Sequence, residues 1–275
     1  MNSMNTGRKT ESDIKRIAII YICTGKYQIF WDNFYRSSTG YLLTMHDKHY
    51  FVFTDSSSIV NSGNITVIYK KPEGFPTDSL LRFRMFSSIA DRLRDYDYVY
   101  FFNSNLIFTA PVNEEIFPDN YISGLAGVIH TGYFNKHHFW FPYERDPASK
   151  AMIPHKYVKY RYYMGAFFGG RTSAFVQMSE ECDRWVTDDL EKGIIAVYHD
   201  ESHLNRYFID REILELDPSY AYPEGWNIPF VPRIIILNKV IHGGPEFDKM
   251  AGISPVKKVK NKFWFIFKTL KWYFK

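Results

Sequence analysis

Arg16-Ile17-Ala18-Ile19-Ile20-Tyr21-Ile22-Cys23 is the stretch whose reading decides the fold. After Arg16 it is unbroken apolar sequence rich in Ile, as a strand buried on both faces of a parallel sheet requires. Tyr27 to Leu43 then reads as a crossover helix, and His49 to Thr54 and Ile65 to Tyr69 read as the second and third strands. Thr77 is placed to cap a helix running to about Arg94, and Tyr96 to Phe102 (YDYVYFF) gives a fourth apolar strand. Strands alternating with helices of these lengths predict an α/β fold, a Rossmann-like sheet flanked by helices. Its ligands are expected outside the carboxyl ends of the strands.

The rest of the chain fits one such domain with two lobes, over residues 15–250, since neither a linker nor an internal repeat divides the 275 residues. Hydrophobic residues make up 45% and charged residues 23%, which excludes a disordered chain. Aromatic residues reach 19%, a surplus that suits sugar stacking although most must serve the core. Cys23 and Cys182 stand in no metal-ligand spacing, so neither a disulfide framework nor a zinc site is expected, and a reducing cytoplasm fits. The polar residues 1–14 read as a disordered leader without a signal pattern. No run approaches the ~18 apolar residues that a spanning helix needs.

Charge is unevenly spread. Seven of the 34 basic residues are lysines within 257–275, a stretch without acids, which leaves 27 basic against 30 acidic residues elsewhere. That pattern excludes a general nucleic-acid binder, whose cations should cover a folded face. On a helical wheel Lys257, Lys260, Lys268, Lys271 and Lys275 fall on one side of this tail. Phe263, Ile266, Phe267, Leu270 and Phe274 gather on the other. Residues 251–275 are thus expected to lie as an amphipathic helix on an anionic membrane surface, the alternative being a tail docked on its own domain.

Several candidate site residues have ordinary readings when taken alone. Asn103-Ser104-Asn105 after the fourth strand is a common turn, and Tyr21 to Cys23 are strand core. His199-Asp200-Glu201 is a helix start in which Asp200 caps and Glu201 favours the dipole. Glycines between Tyr162 and Gly170 supply a turn, Arg82 is a solvated helix arginine, and His130 is structural.

Three segments in order change that reading: Tyr143-Glu144-Arg145, Tyr162-Tyr163-Met164-Gly165-Ala166-Phe167-Phe168-Gly169-Gly170, and His199-Asp200-Glu201-Ser202-His203-Leu204-Asn205. From Phe141 to Phe208 the chain strongly resembles glycosyltransferase family 6, which contains the blood-group A and B transferases and the α1,3-galactosyltransferases. A weaker similarity covers most of Arg16 to Asp248. The resemblance implies a glycosyltransferase-A-type fold and retaining transfer of galactose or N-acetylgalactosamine from a UDP-sugar in an α1,3 linkage.

The family's roles carry over by position. Glu201 matches the glutamate on the β face of the donor sugar, and Asp200 would bond donor hydroxyls. Met164, Gly165 and Ala166 form the donor-selecting segment. The B enzyme resembles this chain in having Met and Ala where the A enzyme has Leu and Gly, and the alanine methyl crowds a 2-acetamido group. Tyr21, Cys23 and Tyr27 match the uracil and ribose site, and Arg82 an arginine that bridges donor and motif. His130, in His130-Thr131-Gly132-Tyr133, matches an acceptor contact. Tyr198, His199 and Trp226 fall on the acceptor side.

Departures from the family pattern are Pro142 for threonine, Tyr198 for tryptophan, and Asn103 and Asn105 for the aspartates that hold Mn²⁺. The last implies a metal-independent enzyme of bacterial type with no cofactor. The amides of Asn103 and Asn105, with Lys239 and Arg82, would then stabilise departing UDP. The expectation is a cytoplasmic enzyme, peripheral on the inner membrane face, adding α1,3-galactose to a galactose-terminated glycan; a lipid-linked acceptor would explain the tail. The alternatives are an N-acetylgalactosamine donor, or a sugar-nucleotide or glycan-binding protein without activity.

Overall fold

A computed structural model describes residues 13–157, 159–248, 266–267 and 269–272, so the leader expected over 1–14 lies almost entirely outside the described residues. The chain opens with β1 (Arg16–Ile22), α1 (Trp31–Tyr41), β2 (Asp47–Thr54) and β3 (Ile65–Tyr69). It continues through α2 (Thr77–Leu80), α3 (Arg82–Ser87) and α4 (Ala90–Leu93) to β4 (Tyr98–Phe102) and β5 (Leu106–Phe108). There follow β6 (Leu125–Ile129), β7 (Tyr163–Arg171), α5 (Thr172–Glu191), α6 (His199–Phe208), β8 (Leu214–Leu216), β9 (Tyr222–Pro223), β10 (Ile234–Ile236) and α7 (Lys239–Gly243).

Seven strands form one mixed sheet in the order β3-β2-β1-β4-β7-β6-β8, and β5, β10 and β9 form a second, small one. In the large sheet β7 runs antiparallel to both neighbours and all other pairings are parallel. The apolar run of β1 is explained by cover on both faces. Ile17, Ile19 and Tyr21 pack with Trp31 and Phe34 of α1, while Ala18 and Ile20 pack with Phe86 of α3 and Phe175 of α5.

Two predicted helices are corrected. Gly25–Phe30 is a 3-10 turn that precedes α1, so the α-helix begins later than Tyr27. The helix expected from Thr77 to Arg94 is three short ones, broken where Leu81 and Ile89 leave helical ψ, at 16° and 12°. At the second break Ser88 Oγ donates to the Met85 carbonyl, a local bond that competes with helix continuation. Thr77 caps nothing: Pro76 holds the N-cap position, and Asp78 accepts from the N–H groups of Glu73 and Gly74.

The segment from Tyr162 to Gly170 is a strand rather than a turn, and its glycines serve close approach. A side chain at Gly169 would meet the Val99 carbonyl oxygen at 2.2 Å. Against β6 the register shifts between Gly127 and Ile129, so β7 bulges at residues 164–167. A bulge frees peptide groups from the ladder and re-aims them, here beside the carboxyl end of β4.

The described part of the tail docks on the body. Thr269 and Trp272 are buried, the Trp272 indole donates to the Ile153 carbonyl, and the Arg145 guanidinium lies 4.9 Å from its ring centroid. Phe267 and Leu270 stay exposed. These two belong to the apolar side of the wheel, and the fold leaves them uncovered while Trp272 packs with Phe141, Tyr143 and Tyr160. Residues 251–265 lie outside the described residues. Among the described residues no helix is long and apolar enough to cross a membrane.

Candidate active site

Helix α6 is fixed at its start by side chains from three directions. Glu144, buried, accepts from the Val197 N–H at 2.8 Å, and Ser202 Oγ accepts from the Tyr198 N–H at 3.0 Å. His203 joins the His199 carbonyl at 3.0 Å to the buried carboxylate of Asp189 at 3.2 Å. These bonds hold His199 at φ +52, a left-handed conformation that costs a non-glycine residue ~1–2 kcal/mol. The turn delivers Asp200 and Glu201 into the first turn of the helix, where the dipole favours negative charge.

Glu201 is met there by the bulge of β7. Its Oε1 accepts from the Tyr162 hydroxyl at 2.7 Å and its Oε2 from the Gly165 N–H at 2.7 Å. Burial raises its pKa, while these donors and Arg82 lower it. A Cβ at Gly165 would lie in van der Waals contact with Asp200 and Glu201, at 3.4 Å.

Arg82 is buried, not solvated, and links every part of the site. Its Nη1 donates to the Gly165 carbonyl at 2.8 Å and to Asp200 Oδ2. Its Nη2 donates to Asn103 Oδ1 at 3.2 Å, and its guanidinium lies 4.5 Å from the ring centroid of Phe101. Asp200 therefore forms an ion pair instead of capping α6. Burial pushes its pKa from 3.8 up to about 6, with Arg82 opposing that rise and Glu201 adding to it.

Beyond Arg82 lies a cleft lined by Tyr27, Phe75, Asn103, Ser104 and Lys239. Lys239 Nζ sits 4.9 Å from the Tyr27 ring centroid, so these two residues meet at one cleft. Three expected donor residues act differently. Tyr21 is in the core, stacked on Phe34, and donates its hydroxyl to the Ser104 carbonyl at 2.7 Å. The Cys23 thiol is buried, which pushes its pKa up to about 12. Neither side chain lines the cleft, because inward positions of β1 belong to the core. Asn105 is buried and donates its amide to the Leu237 carbonyl at 2.7 Å, while the Leu237 N–H returns to the Asn105 carbonyl at 2.8 Å. It thus tethers the loop that carries Lys239 and offers no amide to the cleft.

Asn103 Oδ1 and Asp200 are engaged by Arg82, and an amide oxygen, unlike a carboxylate, brings no formal charge to a cation. Among the described residues no group of three or more His, Cys, Asp or Glu is gathered as a ligand set.

On the acceptor side His130 packs 5.6 Å from Tyr162, ring to ring. Its Nδ1 accepts from the Gly132 N–H at 2.9 Å, and burial lowers its pKa to about 4, so the ring is neutral near pH 7. Tyr198 and Trp226 are about half exposed, at 45% and 52%, leaving aromatic faces open. His199 lies edge-on to Phe75 at 4.9 Å, which brings it to the rim of the donor cleft. Tyr162, Phe75, Ser104 and Glu144 were not singled out as site residues from the sequence. Only Tyr162 and Glu144, inside the matching segments, carried a signal.

A Rossmann-like mixed sheet with an acidic pair aimed across the carboxyl end of β4 defines a glycosyltransferase of the A-type fold. Comparison with known proteins narrows this class. Residues 10–241 match Glycosyltransferase family 6. The chain is 36% identical over 225 residues to the O-antigen biosynthesis glycosyltransferase WbnI of Escherichia coli, covering 81% of this chain and 94% of that protein. It is 30% identical to Histo-blood group ABO system transferase 2 of Rattus norvegicus, over 76% of this chain and 65% of the rat protein. Globoside alpha-1,3-N-acetylgalactosaminyltransferase 1 of Gallus gallus is 28% identical over 80% of this chain and 65% of its own length. The chain belongs to glycosyltransferase family 6 and is an enzyme, which sets aside the reading as an inactive binding protein.

Proposed function

We propose that this enzyme moves galactose from UDP-galactose to the 3-hydroxyl of a galactose-terminated glycan, with retention and without a metal ion. The observation that carries the reading is the Glu201 carboxylate, held by Tyr162 and the Gly165 N–H one residue from Ala166. A carboxylate so fixed either attacks the anomeric carbon or stabilises positive charge there while the acceptor arrives on the face that UDP leaves. Arg82 and Asp200 orient the donor sugar, and Lys239 with Arg82 meets the departing diphosphate. The methyl of Ala166 favours galactose over N-acetylgalactosamine. The exposed Phe267, Leu270 and Lys271 support attachment of the tail to an anionic membrane at the cytoplasmic face, near a lipid-linked acceptor.

The reading is tested by UDP release in EDTA from UDP-galactose and UDP-N-acetylgalactosamine, with lactose and fucosylated lactose as acceptors. Acceptor-dependent release, faster with UDP-galactose, is expected. Strict dependence on Mn²⁺, or preference for the acetamido donor, contradicts it. Replacing Lys257, Lys258, Lys260, Lys262 and Lys271 by Gln, which keeps the docked Trp272, is expected to release the protein from anionic vesicles while transfer to lactose persists, and undiminished vesicle binding contradicts the attachment.

A further inference from the structure

Two hollows adjoin along the segment that leads into β7. The first, of about 580 Å³, is walled by Tyr133, Phe134, Phe230 and the ring of Tyr162. The second, of about 700 Å³, is walled by Tyr121, Tyr157 and Arg211. Lys159, Arg161 and Glu215 line both. We infer that the two form one groove that holds the acceptor glycan beyond its terminal sugar, so that the enzyme prefers an acceptor of three or more sugar residues. The inference rests on the reading above that the site glycosylates a glycan.

Continuity comes first. The groove begins at Tyr133, whose ring centroid lies 4.9 Å from that of His130, so a chain whose end is held at His130 leaves the site along it. Composition comes second. Its aromatic rings offer apolar faces to the C–H faces of sugars, and Phe134 and Phe230 meet edge to face at 5.2 Å to form a stiff rim. Between them Glu215 is fixed by Lys159 and by Arg161, whose Nε donates at 2.9 Å. That gives a planar array of donors and acceptors suited to vicinal hydroxyls.

Charge comes third. Lys136, Lys159 and Arg161 stand against Glu215 and Asp217 in the first hollow, and Arg211 against Asp210 and Glu212 in the second. This near balance suits a neutral or weakly acidic glycan and disfavours a polyanion or a membrane surface, which needs one sign of charge.

The test compares lactose with a tetrasaccharide that ends in the same disaccharide, using the full chain. The tetrasaccharide is expected to have a KM at least fivefold lower. Arg161→Ala and Tyr157→Ala are each expected to remove most of that gain while their thermal midpoints stay near that of the parent. Equal KM values for the two acceptors, or a gain that survives both substitutions, overturns the inference. If neither acceptor supports transfer, the proposed reaction fails separately. Calorimetry of the tetrasaccharide on the UDP-loaded protein then decides the groove: binding lost in both variants supports it, and no binding to the parent overturns it.

Discussion

The Tyr162 hydroxyl donates to Oε1 of Glu201 at 2.7 Å, and this one contact joins the segment that leads into β7 to the helix that carries the carboxylate. Tyr162 is itself buried against His130 and Tyr133, with ring centroids at 5.6 and 5.2 Å. The aromatic cluster around His130 therefore holds the carboxylate through it.

Tyr162→Phe keeps the ring and deletes the donor. A hydrogen bond to a charged group is worth roughly 1.5–3 kcal/mol, so kcat is expected to fall about 10- to 100-fold with a folded protein. Because Tyr162 lowers the pKa of Glu201, the acid limb of the kcat profile is expected to move to higher pH. Steady-state kinetics across pH checks both, and an unshifted limb contradicts the assignment.

Asp200 gives stability and activity opposite pH trends. Its folded pKa is raised from 3.8 to about 6. Its contribution to stability is therefore fully present below pH 3.8 and is lost as pH rises through about 6. At roughly 1.4 kcal/mol per unit, the loss is about 3 kcal/mol. Activity needs the ionised form that pairs with Arg82, so it is expected to rise over the same window. Urea unfolding of the parent and Asp200→Asn from pH 4 to 7.5 measures the first trend, and the variant's curve is expected to lack that decline.

Ala166→Gly restores room for an acetamido group. One methyl in a pocket is worth about 1–3 kcal/mol, so the ratio of kcat/KM values for the two donors is expected to shift about 10-fold or more toward UDP-N-acetylgalactosamine. Competition between the two donors, read by product mass, measures the ratio directly. An unchanged ratio removes Ala166 from donor selection.

How much of this was legible in the sequence follows from what each residue needs. The apolar runs of β1, β2 and β4 announced a sheet covered on both faces, because burial on two sides leaves no room for polar alternation. The breaks at Leu81 and Ile89 were not legible: helical propensity runs through them, and they arise from tertiary demands and from Ser88. The matching segments found Asp200 and Glu201 and the weaker similarity outside them found Arg82, but composition could not tell that Arg82 is buried. Tyr21, Cys23 and Asn105 looked like cleft residues because they match family positions that hold the donor. The alternation of β1 turns the first two into the core, and the pairing with Leu237 turns the third away. Phe75 belongs to no recognisable pattern and enters the cleft only through the fold.

Glu201→Gln, studied with UDP affinity and transfer measured on the same preparation, tests the central claim most directly. The amide keeps the shape and one acceptor oxygen but loses the negative charge that the anomeric carbon requires. Transfer to lactose is expected to fall at least 100-fold while the Kd for UDP changes by less than about threefold, since an interaction made in the transition state alone is lost. Transfer within a few fold of the parent would contradict the account and leave Glu201 a structural residue of α6.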